Sequence, residues 1–305
     1  MSRIVRALRE GRGLTAYAWC VLAFMVLVVL EGAIVRATGS GAGCGNHWPL
    51  CNGDFFPHHP RLATIIEYTH RSMTGVCVTL VTVLIAWVFF ARAKGERARR
   101  AAVWVGILLL TEALLGAVLI FGGYVENNAS DARVFVQGIH FTNTMLLLAA
   151  MTLTAWWLRR RQETSSAPAE ARSLAWIGLL ATIIVGATGA VAALADTLFP
   201  SPSLRAGLAN DFAATAPLIV RMRWLHPAAA IIGVVCVAWL CLRVRSKVAR
   251  WVVALLVLQL VLGTGDVLLL APTWMQILHL LGADLYWIAL VALCADVLVP
   301  APPIP

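Results

Sequence analysis

Residues 63–91 read ATIIEYTHRSMTGVCVTLVTVLIAWVFFA, an apolar run of 29 residues that carries Glu67, His70 and Arg71 near one end. About 20 apolar residues suffice to cross a bilayer core. Seven further runs of this kind lie near 15–37, 101–121, 134–158, 173–195, 218–242, 249–270 and 273–299. The chain of 305 residues is 60% hydrophobic and 13% charged, more apolar and less charged than a soluble globular protein. An all-α integral membrane protein with eight spans follows. The last two runs are separated only by Ala271-Pro272-Thr273, which predicts a tight helical hairpin. The first run is long and lacks a small-residue cleavage site, so it reads as a retained anchor rather than a signal peptide.

The formal charge of +9 is a topology signal. Seventeen of the 24 Lys and Arg residues fall on one side: Arg3, Arg6, Arg9 and Arg12, and the segments 92–100, 159–172 and 243–250. Arg36, Arg61, Arg71, Arg133, Arg205, Arg221 and Arg223 fall on the other. The positive-inside rule makes the richer side cytoplasmic, with both termini inside a cell membrane. No basic patch with base-reading aromatics is present, which argues against nucleic acid as a partner. Cys44 and Cys51 share the first outer loop, on the oxidising side, and are expected to form a disulfide. Cys20, Cys77, Cys236, Cys241 and Cys294 lie in apolar runs and read as small buried hydrophobes.

The spans divide four and four about a polar linker at 161–172, giving halves at 1–160 and 173–305. The halves look like one unit used twice. Ile34-Val35-Arg36-Ala37-Thr38-Gly39 in span 1 matches Ile184-Val185-Gly186-Ala187-Thr188-Gly189 in span 5, and Gly116 in span 3 matches Gly263 in span 7. Each even-numbered span carries one histidine near its outer start: His70, His140, His226 and His279. His47, His58 and His59 lie in the first outer loop and read as solvated. A single intramembrane histidine is as readily a satisfied core residue as a ligand. Four at matched depth, paired by the repeat, point to a shared role.

Two imidazoles on facing helices are too few for zinc. They suit a flat macrocycle slotted into a bundle with one ring on each axial face of its iron. The span glycines leave room for such a ring, or serve close helix packing. Arg36, Arg71, Arg221 and Arg223 are placed at the outer edge to meet propionates, or to snorkel toward the interface. Glu67 stands three residues before His70, on the same helix face. Arg223 holds the corresponding place before His226. A carboxylate beside one pair only suggests a reaction site in the N-terminal half and a permanent cofactor in the other, the alternative being that Glu67 merely hydrogen-bonds its histidine or offsets Arg71. Glu31 is placed to pair with Arg36, and Glu112 and Asp266 should face the interior without an assigned role.

The stretch from Ile34 to Gly53, IVRATGSGAGCGNHWPLCNG, followed by Glu67-Tyr68-Thr69-His70-Arg71, resembles the heme A synthase family, in the bacterial form with a cysteine pair in the first outer loop. The likeness covers nearly the whole chain, although the second cysteine pair of some members is missing from 196–223. The resemblance implies oxidation of the C8 methyl of heme O to a formyl group, giving heme A. It implies Glu67 as the catalytic carboxylate, His70 and His140 as axial ligands of the substrate heme, and His226 and His279 as ligands of heme b. It implies a heme O synthase as donor and terminal oxidase assembly as recipient, with a site open to the lipid bilayer. A homo-oligomer is left open. Two rival readings use the same histidines: a diheme b-type electron carrier, and a heme carrier without chemistry.

Overall fold

The computed structural model describes residues 8–159 and 167–299. Arg3, Arg6, Arg160, Arg161 and linker residues 161–166 lie outside the described residues. Eight helical spans are long and apolar enough to cross a membrane. They are α1 (Leu14–Ala37), α2 (Leu62–Ala91), α3 (Arg97–Phe121), α4 (Asp131–Arg159), α5 (Ala169–Leu198), the continuous segment Leu218–Val244, α9 (Lys247–Leu268) and α10 (Thr273–Leu298). The sixth span begins as a single turn, α7 (Leu218–Arg221), and resumes as α8 (Leu225–Val244). Pro227 sits in the first turn of α8, where its missing N–H costs nothing. The helix α5 starts at Ala169, so residues 169–172 of the expected linker are helical.

The outer connection from 199 to 217 contains a helix that the apolar runs did not reveal, α6 (Leu204–Asp211). Its Ser203 N-cap accepts a hydrogen bond from the N–H of Ala206. The hairpin after α9 is as tight as predicted: four residues separate the helices, and Leu270 and Ala271 take positive φ to turn the chain.

The halves repeat one packing order. In the first, α1 lies on α2, α2 on α3 and α3 on α4. In the second, α5 lies on α8, α8 on α9 and α9 on α10. The halves meet through their first and last spans, since α1, α4, α5 and α10 all touch one another and form a central layer. Half of the apolar window of α10 is buried, against 11% for α3 and for α9, which marks the latter two as peripheral. Leu14, Leu22, Leu147, Leu148, Leu290 and Leu293 fill the centre. In lipid this packing is held by close fit and hydrogen bonds rather than by expulsion of water. The Trp287 indole donates to the Met145 carbonyl at 2.8 Å, and the Thr182 and Tyr286 hydroxyls lie 3.2 Å apart.

Two expectations need correction. Cys77, Cys241 and Cys294 are buried, but Cys20 is on an exposed face and Cys236 is only half-buried. The face of a span toward lipid takes a small apolar thiol as readily as the core does.

Because spans alternate direction, the loop holding exposed His58 and the loop holding exposed Lys94 lie at opposite ends of the bundle. A membrane-impermeant maleimide applied to intact cells should label His58→Cys and leave Lys94→Cys unlabelled; labelling of both would contradict the alternation.

Candidate functional site

Each span histidine leans on a glycine of the span before it. A Cβ placed on Gly32 of α1 would stand 3.1 Å from His70 Cε1, and one on Gly189 of α5 would stand 2.9 Å from His226 Cε1. The same holds for Gly263 of α9 against His279 at 3.0 Å, and more loosely for Gly116 of α3 against His140 at 4.0 Å. Gly116 and Gly263 match as read from sequence. The match of spans 1 and 5 does not hold as drawn: Gly32, not Gly39, is the counterpart of Gly189. The 34–39 and 184–189 likeness is therefore displaced by seven residues, about two helical turns, which returns to the same face.

The four rings sit at comparable depth. His70 is eight residues after Leu62, His140 nine after Asp131, His226 eight after Leu218 and His279 six after Thr273. His226 and His279 face each other with ring centres 6.2 Å apart and planes at 76°. Two imidazoles on opposite sides of one first-row metal ion, each bonded at about 2.0–2.1 Å, would have ring centres about 6.3 Å apart. The Nδ1 atoms of His70, His140 and His279 are buried without a hydrogen-bond partner, while that of His226 lies 3.0 Å from the Val185 carbonyl oxygen. Among the described residues no three His, Cys, Asp or Glu side chains converge as a metal cluster. Paired imidazoles cradled by glycine, without further protein ligands, fit the iron of a planar macrocycle.

Beside His70 the helix surface is capped by the first outer loop. Gly43 packs so tightly on the start of α2 that a Cβ there would lie 2.5 Å from the Ala63 carbonyl carbon and oxygen. The Thr64 hydroxyl donates to the Gly43 carbonyl at 2.8 Å, and Cys44 is bonded to Cys51 as expected. Glu67, 3% exposed, accepts the Cys44 N–H on Oε2 at 2.7 Å and the Arg71 guanidinium on Oε1. Arg71 also donates to the carbonyls of Gly45, His47 and Leu50. It is thus a loop clamp, with its nitrogens already engaged.

In the second half the sign is reversed and the architecture kept. Arg223 donates to Asp211 at 2.8 Å, to Asp196 at 2.9 Å and to Ser201 at 3.3 Å, tying its own outer loop to the span. Arg36 does not pair with Glu31. It crosses to the other half and donates to the Ala193 carbonyl, the Thr197 hydroxyl and Gln276 Oε1 at 2.6–2.8 Å. Arg221 is exposed at the end of α7. Asp266 has a buried Oδ1 without a hydrogen-bond partner. Glu112 lies 3.7 Å from His140 Nδ1.

Sequence reading passed over Gln276, three residues before His279, although Gln137 stands three before His140 and the repeated Gln-x-x-His was there to see. It also passed over Gln259, whose amide donates to the His279 carbonyl at 2.9 Å.

These features define a multi-pass helical membrane protein with a duplicated pair of intramembrane histidines. The COX15-CtaA family, described as cytochrome oxidase assembly protein, matches residues 15–291, and the chain belongs to that family. It is 42% identical over 294 residues to a Thermus thermophilus protein named protoheme IX farnesyltransferase, covering 93% of this chain and 48% of that protein. It is 34% identical over 183 residues to the heme A synthase of Exiguobacterium sibiricum, covering 59% of each chain. It is 32% identical over 156 residues to the heme A synthase of Geobacillus kaustophilus, covering 51% of this chain and 47% of that one. The chain spans about half the length of the curated relatives it matches.

Removing one member of a buried ion pair strands the other charge and costs about 3–5 kcal/mol. Glu67→Ala should therefore destabilise the protein by several kcal/mol in thermal unfolding in detergent, and the double variant Glu67→Ala/Arg71→Leu should recover part of the loss. An unchanged unfolding temperature in the single variant would show that the pair does not hold the loop.

Proposed function

We propose that the chain is a heme A synthase that oxidises the C8 methyl of heme O to a formyl group. The observation that carries this reading is the unequal duplication. Both halves hold a histidine pair against glycine, but at two equivalent positions beside the pairs the first half carries the carboxylates Glu67 and Glu112 where the second carries Arg223 and Gln259. Residues 70 and 140 would hold the substrate heme, and residues 226 and 279 would hold heme b, which supplies one-electron redox chemistry when bound.

Methyl to formyl with an oxygen from water releases four electrons and four protons, so the reaction needs an external electron acceptor and a route for electrons out of the first half. The adjoining second half, packed against it through α1, α4, α5 and α10, offers that route. His70 and His140 would orient the macrocycle. Glu67 is held by two donors on its two oxygens, which orients its carboxyl group one turn before His70. A carboxylate so oriented would stabilise positive charge developing at an oxidised carbon. Taking up a proton at Oε2 would require release of the Cys44 N–H. Arg221, exposed at the end of α7, is the cation best placed for propionates, since Arg36, Arg71 and Arg223 are engaged with protein groups. The glycine-lined faces near lipid suit a farnesylated substrate delivered within the bilayer of a cell membrane, from a heme O synthase and onward to terminal oxidase assembly. The Thermus relative, of which this region is one part, is named for farnesyl transfer to protoheme and fits that order of events. The bias of basic residues puts both termini in the cytoplasm.

A bis-histidine electron carrier would hold the same hemes and change none of them. Expression in a heme-O-producing host, followed by chromatography and mass analysis of extracted hemes, should yield heme A or its hydroxylated precursor with the parent chain. Neither should appear with Glu67→Ala. Unmodified heme alone with the parent would remove the synthase reading in favour of the carrier.

A further inference from the structure

We propose that Glu112 is a positioning residue for His140, and that it makes the iron held by the N-terminal pair the more electron-rich of the two. The proposal rests on the reading of both pairs as heme sites. Glu112 stands one turn before Gly116, the glycine on which the His140 ring leans, so its carboxylate shares that face of α3. Its Oε1 is 3.7 Å from His140 Nδ1, an atom that is buried and without a hydrogen-bond partner. Closing to hydrogen-bond length asks for a movement of about half an ångström.

The carboxylate is not free to wander. The Thr144 hydroxyl donates to Oε1, and the Asn143 amide donates to Oε2 at 2.6 Å. Asn143 is fixed in turn, donating to the Leu108 carbonyl at 3.0 Å and accepting from the Thr111 hydroxyl at 2.8 Å. Four polar side chains on α3 and α4 thus form one network inside the span. Ionisable and polar groups at that depth are costly and are rarely placed without a task. What the network leaves unmatched is the His140 Nδ1. An imidazole that binds metal through one nitrogen characteristically donates its other N–H to a carboxylate or carbonyl, which orients the ring and raises its basicity.

The second half supplies the internal comparison. Gln259 stands one turn before Gly263, the glycine under His279, in the place that Glu112 occupies under His140. Its Oε1 is buried without a partner, as is His279 Nδ1, while its amide nitrogen donates to the His279 carbonyl. The other ligand of that half, His226, meets the Val185 carbonyl oxygen. At equivalent positions, then, the N-terminal pair has a carboxylate beside its second ligand and the C-terminal pair an amide, with a neutral carbonyl meeting His226. Ligand basicity and hydrogen bonding around the axial ligand are the protein's levers on heme potential. The difference sets the first half below the second in potential, so that electrons taken at the first flow downhill to the second.

The test uses the full chain, purified and loaded with protoheme at both sites, in a spectroelectrochemical titration. His140→Ala and His279→Ala chains assign the two couples. Glu112→Gln should favour reduction of the N-terminal heme by tenfold or more, which is 59 mV for a one-electron couple, and leave the C-terminal couple in place. Glu112→Asp, which keeps the charge, should stay near the parent. Gln259→Glu should shift the C-terminal couple the opposite way. If Glu112→Gln retains both hemes and its potentials match the parent, the proposal is overturned even where the parent still makes heme A. If Glu112→Gln does not fold or loads only one heme, Gln259→Glu decides, and an unshifted C-terminal couple overturns the proposal. A parent that takes up no heme through His140 overturns both this proposal and the functional reading.

Discussion

The structure depends on three places where a helix backbone comes so close to an imidazole that a side chain there would crowd the ring. Gly32, Gly189 and Gly263 admit the ring of the next span's histidine with no room for a methyl group. That close approach sets the spacing of α1 with α2, α5 with α8 and α9 with α10, and in the second half it leaves the His226 and His279 rings facing one another. Histidine in lipid is costly unless it is matched. The match here is geometric, since the rings of the second pair stand at the separation expected for two ligands of one metal ion.

Duplication gives the two halves the same frame, and substitution within that frame gives them different chemistry. Three residues before the first histidine of each pair, one position anchors the outer loop to its span. It is Glu67 in one half, tied to Arg71 and the Cys44 N–H, and Arg223 in the other, tied to Asp196 and Asp211. The anchoring is preserved while the charge is inverted. Under the second histidine of each pair, a carboxylate in one half is an amide in the other. The halves are joined where their first and last spans meet, so any difference between them acts across a packed interface rather than across a linker.

The eight spans were legible because an apolar run of 20 or more residues needs no tertiary partner to declare itself. The four histidines were legible for the complementary reason, that ionisable groups stand out in such runs. The Cys44–Cys51 pairing followed from two cysteines sharing one outer loop. Other features depended on how elements dock. Gly32 was overlooked because a motif displaced by two turns presents the same helix face, and only the position of His70 tells the two registers apart. The course of Arg36 into the second half follows from the central place of α1, which no pattern within span 1 encodes. The clamp made by Arg71 was not legible because the loop carbonyls it meets lie 21 to 26 residues away in sequence. The helix α6 is short and mostly polar, and its Ser203 cap was the one signal available.

The four span histidines would act as two independent iron-binding pairs, one in each half. Titration of the purified, heme-free chain with protoheme, followed by the Soret band, decides whether they do. Saturation is expected at two hemes per parent chain, at one in His140→Ala, at one in His279→Ala, and at none when both are replaced. Saturation of the parent at a single heme, lost in either variant, would show that the histidines do not work as separate pairs.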